Sequence, residues 1–380
     1  MNRGMEMWFR LQTNLICVAL LGIILGHIHI SRRDQERTDK VLRYIMELDL
    51  LLLVLEIIRT YISGSDVSWH KTLHKAAMIF IFLLIPVIMM TAPAFLLAWM
   101  EKTTKIKKYL NPILYIPVVF NGILTIFTIQ TQWLGYINER NEYVRGPLFG
   151  CVLVNYLIYL IYTMGIMKKY GKYMLKNHRY VVYNISLVMC IAVSLQMNEQ
   201  SVLTIWSTVG ILCVCAYTFM IYYNWLHDPL TGVESRVGYS QYIKHIENRK
   251  SVKLTAINID LDDFKQINDQ YGHQEGDWAL ISFTQILRDY IQIDKKVIRI
   301  GGDEFLIFIE NCNETKIIEQ LERVKAAITD FNLKNHKGYE LKFSYGILEY
   351  QKERENIKQF LIRLDKLMYE QKNKKKYKSK

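Results

Sequence analysis

Two groups of acidic residues in the C-terminal half of the chain could together bind a divalent cation. Asp303 and Glu304 are adjacent and follow a Gly-Gly pair, while Asp260 and Asp262 come directly after an apolar run. Adjacent carboxylates repel each other unless a cation or a proton lies between them. Hard cations such as Mg²⁺ prefer carboxylate oxygens, and they promote reactions at phosphate groups. An acidic turn that is simply exposed to water is the alternative.

The residues around both acidic groups predict β-strands. Residues 296–298 and 305–309 are rich in β-branched and aromatic side chains, and Gly301-Gly302 lies between them. We therefore predict a β-hairpin in which the glycines supply the positive φ of a tight turn. Residues 252–259 predict a further strand, which would end at Asp260.

The pattern from residue 252 onward predicts a domain that mixes strands and helices. After the first strand we expect, in order, a short helix near 263–270, a longer helix near 275–291, the hairpin, a helix near 315–331, a strand at 341–348 and a last helix near 355–374. This order indicates an α+β domain with an antiparallel sheet. The acidic residues would lie at its edge loops.

Six short motifs occur in order after residue 227. They are Asp228-Pro229-Leu230-Thr231-Gly232, Asp260-x-Asp262-x-Phe264-Lys265-x-Ile267-Asn268-Asp269, Gly272-His273-x-x-Gly276-Asp277, Gly301-Gly302-Asp303-Glu304-Phe305, Ser344-x-Gly346 and Asp365-x-x-Met368-Tyr369-x-x-Lys372. In this order and spacing they resemble the motifs of the GGDEF-domain diguanylate cyclases. The resemblance implies a palm-like antiparallel sheet similar to that of nucleotidyl cyclases. It also implies that two GTP molecules condense into cyclic di-GMP and release two pyrophosphates.

The resemblance implies roles for the acidic residues. Asp260 and Asp303 would bind Mg²⁺ (or Mn²⁺) through their side chains, and Leu261 would bind it through its carbonyl oxygen. Glu304 would act with Asp303 in catalysis, either as a further metal ligand or as the base. The sequence does not decide between these two roles.

The resemblance also implies positions that bind the substrate. Asn268 and Asp277 match the residues that read the guanine base. An amide and a carboxylate can together satisfy the hydrogen-bonding groups that guanine has and adenine lacks, which predicts selectivity for GTP. Phe264 and Lys265 match a loop whose backbone N–H groups can bind phosphate.

The lysines near the C-terminus leave one question open. Lys372 matches a phosphate-binding lysine of the family, whereas Lys376 stands where the family usually has an arginine. Lysine keeps the charge but lacks the two-pronged hydrogen bonding of arginine, so Lys376 either binds phosphate or belongs to a solvated tail. The missing arginine also keeps open a second function, a catalytically inactive GGDEF domain that serves as a GTP-binding or docking module.

Gln292 and Lys295 occupy the positions where many relatives carry an inhibitory Arg-x-x-Asp site for the product. Glutamine cannot replace the paired hydrogen bonds of an arginine, and here a lysine replaces the carboxylate. We therefore expect no product inhibition through this site.

The N-terminal part of the chain is much more apolar than the rest. Seven stretches have roughly the length that spans a bilayer, namely 9–29, 42–63, 74–100, 110–130, 147–167, 180–197 and 203–223. They predict an all-α polytopic membrane bundle of about seven helices, which we interpret as a sensor region over residues 1–225. Residues 226–380 would form the GGDEF cyclase domain, joined to it without a flexible linker.

The distribution of charge predicts how the chain is oriented. Lysine and arginine are concentrated in the connections after the first, third and fifth stretches. The positive-inside rule then predicts a multi-pass protein of the bacterial inner membrane, with its N-terminus outside and the GGDEF domain in the cytoplasm. Because the net charge of +12 lies largely in these connections and at the lysine-rich end, we expect no nucleic acid partner.

Three further partners are expected. The helices require a lipid bilayer, and an unknown sensor ligand would act on them. Since the resemblance implies one GTP in each cyclase domain, a homodimer would be needed for the reaction.

The second apolar stretch contains ionisable residues, among them Glu56 and Arg59. Charged groups at membrane depth are costly, so they indicate either a ligand pocket or pairing within the protein. Glu56 and Arg59 are three residues apart and could form a pair on one helix face. Both alternatives stay open for Glu56.

Overall fold

The structure is a computed structural model. It describes residues 3–31, 36–104, 109–171, 176–198, 205–249, 253–335 and 337–378. The chain folds into two compact units, residues 1–218 and 219–380.

The described part of the N-terminal unit is built from seven helices. They are α1 (Arg3–Ser31), α2 (Arg37–Ile62), α3 (Ser68–Thr104), α4 (Ile116–Thr131, preceded by a 3₁₀ turn at Pro112–Tyr115), α5 (Gly150–Tyr170), α6 (Lys176–Asn198) and α7 (Ile205–Leu226). Each helix overlaps one of the predicted stretches. Large apolar side chains such as Ile23, Ile126 and Ile161 are exposed on the outside of these helices, as expected of surfaces that face lipid.

Six of these helices are long and apolar enough to cross a membrane, and α2 is the exception within the described residues. It carries Asp49 and Glu56, which are only 0% and 3% exposed. Since α2 packs against α1 and α3, these two side chains are covered by protein rather than by lipid. The expected bundle of about seven helices is confirmed, but the composition of α2 is that of a helix inside the bundle.

Glu56 is paired with Arg59 on α2. The Arg59 guanidinium donates to the Glu56 carboxylate through Nη2 at 2.5 Å and through Nε at 3.1 Å. A two-pronged pair of this kind neutralises both charges and satisfies both carboxylate oxygens. The pairing alternative is therefore confirmed.

A short hairpin between α4 and α5 was not predicted. Its strands are β1 (Gly135–Ile137) and β2 (Tyr143–Arg145), which are antiparallel. Asn141, with a φ of 56°, lies in the connection and donates through its side chain to the carbonyl oxygen of Ile62 at 2.7 Å. This bond attaches the hairpin to the end of α2. Three-residue strands are too short to show an alternating pattern in the sequence.

The described part of the C-terminal unit contains five helices and four strands. They are α8 (Arg236–Asn248), β3 (Leu254–Leu261), α9 (Phe264–Tyr271), α10 (His273–Tyr290), β4 (Lys296–Arg299), β5 (Glu304–Glu310), α11 (Glu314–Lys334), β6 (Phe343–Tyr350) and α12 (Ile357–Lys378). From β3 onward the elements follow the predicted order.

Helix α8 was missed, although its start is visible in the sequence. The Ser235 hydroxyl accepts hydrogen bonds from the backbone N–H groups of Val237 and Gly238 at 3.2 and 3.4 Å. A serine in this role is a typical start of a helix. The buried Tyr242 and Ile246, four residues apart, form the inner face of α8.

The four strands form one antiparallel sheet with the order β4-β5-β3-β6. Every residue of β3 is buried, because helices cover both faces of the sheet. Alternate residues such as Ile257 and Ile259 pack with residues of α10 and α11 on one face. Leu254 and Ala256 pack with residues of α8 and α12 on the other.

Helix α12 lies unusually close to β6 at Gly346. A Cβ atom at this position would be 2.6 Å from the carbonyl oxygen of Leu364 and 2.7 Å from the backbone nitrogen of Met368. These contacts are with backbone atoms, which cannot turn away as a side chain can. Glycine is therefore required by the approach of the helix.

We predict that Gly346→Ala lowers the free energy of unfolding of the C-terminal unit by about 1–3 kcal/mol, because the added methyl overpacks the contact with α12. Thermal unfolding of the full-length protein in detergent, combined with amide hydrogen exchange in α12, measures this loss. Gly302→Ala is the matched control, since nothing lies within 4 Å of its Cβ position. Equal destabilisation by both substitutions would contradict the prediction.

Candidate functional site

The predicted β-hairpin is present as β4 and β5, in which Arg299 pairs with Phe305. Gly301 and Gly302 do not have a positive φ, so that part of the prediction is wrong. The connection contains four residues, 300–303, and a loop of this length does not need the left-handed backbone of a two-residue turn. The Cβ position of Gly302 has no atom within 4 Å, so the loop borders open space there.

The pairing of β3 with β5 brings the two acidic groups together. Asp260 lies directly opposite Glu304 in the sheet. The backbone N–H of Leu261 donates to the carbonyl oxygen of Asp303 at 3.2 Å. Asp260 and Glu304 therefore lie at adjacent ends of the two central strands, so the predicted position at edge loops is wrong for these two residues. Asp303 lies in the loop between β4 and β5. Asp260 continues the strand because its backbone pairs on both sides, with β5 and with β6.

The carboxylates of this cluster affect one another. Burial raises the pKa of Glu304, and the negative charges of Asp260, Asp303 and Asp365 raise it further. Burial also raises the pKa of Asp260, although a hydrogen bond from Lys372 opposes this effect. A cluster of this kind favours the binding of positive charge.

Part of that positive charge comes from α12. The Lys372 ammonium donates to Oδ1 of Asp260. Burial alone would lower the pKa of Lys372, but its bond to Asp260 outweighs burial and the pKa is raised. Lys375, one turn further on, donates to Oδ2 of Asp262 at 3.0 Å. The side chain of Lys376 lies outside the described residues.

The donor set suits a hard divalent cation such as Mg²⁺ or Mn²⁺. Asp260, Asp303 and Glu304 offer carboxylate oxygens, and Leu261 adds a backbone carbonyl group beside them. As the side chains stand, no three His, Cys, Asp or Glu side chains of the described residues converge closely enough to hold a metal ion. Lys372 interacts with Asp260 where an ion would interact, so binding of a metal requires this ion pair to open or shift.

Two side-chain contacts anchor α12 beside the site. Asn258 on β3 donates to Oδ1 of Asp365 at 3.1 Å. The side-chain oxygen of Gln371 accepts from the backbone N–H of Tyr345 at 2.6 Å. Asp365 and Lys372 are seven residues apart and so lie on the same face of the helix. This spacing could have indicated that both face the sheet.

Arg299 had no predicted role, yet it connects two of the motifs. Its guanidinium donates to both carboxylate oxygens of Asp228 at 3.1 and 3.3 Å. The same group donates to the carbonyl oxygen of Gly302 at 2.8 and 3.2 Å. Burial tends to raise the pKa of Asp228, but hydrogen bonds from Thr231 and the charge of Arg299 outweigh burial and hold it low. Arg299 therefore fixes the glycine loop to the turn at Asp228.

The two predicted guanine-reading positions lie on consecutive helices. Asn268 is on α9 and Asp277 is in the first turns of α10, and only Gly272, with a φ of 86°, separates these helices. A Cβ atom at Gly276 would be 2.0 Å from the Asn268 side-chain oxygen. The amide thus lies directly on Gly276, the residue before Asp277. The Asp277 side chain itself is exposed to solvent.

The predicted phosphate-binding loop coincides with the start of α9. Asp263 is the residue that caps this helix. Its carbonyl oxygen accepts hydrogen bonds from the backbone N–H groups of Gln266 and Ile267. The N–H groups of Phe264 and Lys265 come earlier in the first turn, where N–H groups have no partner within a helix. They can therefore bind an anion. The Phe264 ring packs into the core, whereas the Lys265 side chain is exposed.

Lys295, one of the two residues expected to replace the inhibitory pair, has a structural contact. Its ammonium donates to the carbonyl oxygens of Ile291 and Arg288, the latter at 3.2 Å. These carbonyl groups lie at the end of α10, so Lys295 caps the helix. The Gln292 side chain is exposed, and its backbone N–H donates to the Gln320 side chain at 2.9 Å.

We predict that Gly276→Ala weakens GTP binding by displacing the Asn268 amide. A lost hydrogen bond to the base corresponds to about 0.5–1.5 kcal/mol, or roughly a two- to tenfold increase in Kd. Titration of the full-length protein with a non-hydrolysable GTP analogue measures this change.

A double-mutant cycle tests the cause of the weakening. If Gly276→Ala acts through the amide, it adds little to Asn268→Ala, because the group that it displaces is already absent. Losses that simply add would show that Gly276 acts in another way.

The comparisons with known proteins agree with this geometry. Residues 225–378 match the family model described as "Diguanylate cyclase, GGDEF domain". This segment of the chain is a GGDEF domain.

One relative is a membrane protein and another is a named cyclase. An uncharacterized membrane protein of Staphylococcus epidermidis is 24% identical over 268 residues, 63% of this chain and 72% of that protein. Diguanylate cyclase DgcS of Shewanella oneidensis is 41% identical over 88 residues, 22% of this chain and 30% of DgcS. The apolar helices and the staphylococcal relative together identify a membrane protein.

Two further similarities are to a protein of Bacillus subtilis and to a solved structure. Protein YhcK of Bacillus subtilis is 32% identical over 151 residues, 38% of this chain and 42% of YhcK. The crystal structure of the coiled coil and GGDEF domain of DgcB from Caulobacter crescentus, in complex with c-di-GMP, is 19% identical. It covers 43% of this chain and 88% of that one, with a TM-score of 0.39. The chain thus spans less than half the length of DgcS and of YhcK.

Proposed function

We propose that the chain is a membrane-bound diguanylate cyclase, in which residues 226–380 convert two GTP molecules into cyclic di-GMP and two pyrophosphates. Residues 1–225 would be the sensor region that controls this reaction. The observation that carries the proposal is the pairing of Asp260 with Glu304 at the ends of the central strands, beside Asp303 and the open space at Gly302.

Recognition of the substrate is proposed for the start of α9 and α10. Asp277 is free to accept hydrogen bonds from the N1–H and N2–H groups of guanine, while the Asn268 amide pairs with the other polar atoms of the base. Adenine lacks these donors, so it would leave the hydrogen-bond acceptor of the site unpaired. The backbone N–H groups of Phe264 and Lys265 would bind phosphate oxygens.

The acidic cluster is the proposed site of catalysis. Asp260, Asp303, Glu304 and the carbonyl group of Leu261 would hold Mg²⁺ or Mn²⁺, which when bound supplies positive charge to the phosphates and makes the attacking hydroxyl more acidic. Glu304 lies where it can accept a proton or complete the ligand set. When nucleotide binds, Lys372 would leave Asp260 and bind phosphate instead. Lys376 would also bind phosphate.

The reaction requires two copies of the cyclase domain, since each binds one GTP. We therefore propose a homodimer through these domains, in the bacterial inner membrane with the N-terminus outside. The proposed orientation places the GGDEF domain in the cytoplasm, where GTP is found.

A second candidate function rests on the ion pairs that two lysines of α12 form. Lys372 and Lys375 are already engaged by Asp260 and Asp262. If these pairs persist when nucleotide binds, the domain would hold GTP without converting it and act as a docking module.

We predict that Glu304→Gln and Asp303→Asn each lower the rate of cyclic di-GMP formation at least about 100-fold, because each removes charge stabilisation of several kcal/mol. Purified full-length protein in membranes, with GTP and Mg²⁺, is the sample, and the product is measured by chromatography. Removal of Mg²⁺ with a chelator should stop the reaction, and its return should restore it.

Glu319→Gln is the matched control, since Glu319 is an exposed carboxylate on α11. It should retain the wild-type rate. GTP binding without any product from the wild-type protein would refute the cyclase and favour the docking module.

We further predict that added cyclic di-GMP does not lower the initial rate through the Gln292 and Lys295 positions. Neither side chain can form the two parallel hydrogen bonds by which an arginine would bind the product. In addition, Lys295 donates to a carbonyl oxygen at the end of α10. Initial rates are measured with and without product, for wild type and Gln292→Ala. Inhibition of the wild type that disappears in Gln292→Ala would overturn the prediction.

A further inference from the structure

The N-terminal unit contains a cavity that the cyclase chemistry does not use. Its volume is about 100 Å³, and it lies among α2, α3, β2, α5, α6 and the start of α7. Most of its wall is apolar, with Phe82, Val193 and Trp206 among the lining residues. The lining residues with polar side-chain groups are Glu56, Arg59, Tyr143, Arg145, Tyr156 and Gln196.

The charges on this wall do not cancel. Glu56 and Arg59 neutralise each other through two hydrogen bonds. Arg145 has no carboxylate partner among the described residues. Its guanidinium donates to the carbonyl oxygens of Gln196 and Met197 at the end of α6, the latter at 2.8 Å. The cavity therefore carries one net positive charge.

The guanidinium of Arg145 is held in place, yet it has N–H donors that its protein partners do not use. It lies over the Phe149 ring, with 4.8 Å between its carbon and the ring centre. Two of its nitrogen atoms each donate to one carbonyl group, whereas an arginine has five N–H donors. The remaining donors can bind a carboxylate, the partner that matches the planar fork of an arginine.

We propose that this cavity binds a small organic monocarboxylate. The carboxylate would pair with Arg145, and the apolar body would lie against the walls formed by Phe82 and Val193. Since a cavity of about 150 Å³ holds benzene, a cavity of this size suits a body of about four or five carbon atoms.

The position of the cavity gives the ligand a contact with α7. Ile205 and Trp206, which line the cavity, begin this helix. The Gln196 side chain accepts a hydrogen bond from the backbone N–H of Ile205 at 3.3 Å. A bound carboxylate would therefore touch the end of α6, the hairpin strand β2 and the start of α7 at once.

The test is direct binding, which does not depend on cyclase activity. Full-length protein in phosphatidylcholine nanodiscs is titrated with hexanoate, hexan-1-ol and acetate, and Tm and calorimetric heats are recorded. Hexanoate should bind about tenfold more tightly than either of the others, because hexan-1-ol lacks the charge and acetate lacks the body. Equal binding of hexan-1-ol and hexanoate would refute the role of Arg145.

Three variants distinguish hexanoate that binds in the cavity from hexanoate that enters the bilayer. Arg145→Gln should reduce hexanoate binding to the level of hexan-1-ol, whereas Arg140→Gln, an exposed arginine of the same hairpin, should not change it. Val193→Phe fills the cavity while leaving Arg145 in place, and it should abolish binding. If Arg145→Gln fails to fold, the Val193→Phe result decides. Unchanged binding in Val193→Phe would show that hexanoate enters the lipid and would overturn the proposal.

Discussion

The structure of the C-terminal unit depends on the register between β3 and β5. Because residues alternate between the two faces of a sheet, Asp260 can face α12 only if Ile259 and Leu261 face α10. The same register places Glu304 opposite Asp260. A shift of one residue would move the carboxylates into the apolar core between the sheet and α10, at a large cost in free energy. The apolar core thus fixes the acidic cluster, although the two groups are about forty residues apart in the chain.

Helix α12 completes this arrangement through close contact and through charge. Gly346 lets the helix approach the sheet, and Asn258 binds Asp365 one strand further in. The approach carries Lys372 to Asp260, where an ammonium group compensates a carboxylate that is only 7% exposed. An uncompensated charge at such a position would be costly. The ion pair therefore stabilises the site before any nucleotide or metal binds, and the negative charge that remains on Asp303 and Glu304 still attracts a cation.

Much of this could be predicted from the sequence, because the informative signals were local. The runs around 254–261 and 304–310 have strand-forming composition, and the motifs occur in an order that few folds share. The predictions that failed concerned geometry that a local pattern does not contain. Gly301 and Gly302 have ordinary backbone angles, because the four-residue loop is held from outside by Arg299 and Asp228. Asp260 and Glu304 lie on central strands because strand order depends on contacts between distant residues, which spacing along the chain does not reveal.

The N-terminal unit shows the same limit for a membrane protein. Its apolar stretches located the helices, but hydropathy treats every residue as if it faced lipid. Helix α2 departs from that assumption, since Asp49 and Glu56 are covered by neighbouring helices. Paired groups such as Glu56 and Arg59 can be explained by stability alone, because each removes the cost of burying the other. Arg145 cannot be explained in this way, since two carbonyl groups accept hydrogen bonds from it but no carboxylate of the described residues neutralises its charge. A charge that the fold does not neutralise is the feature that distinguishes a binding cavity from a packing defect.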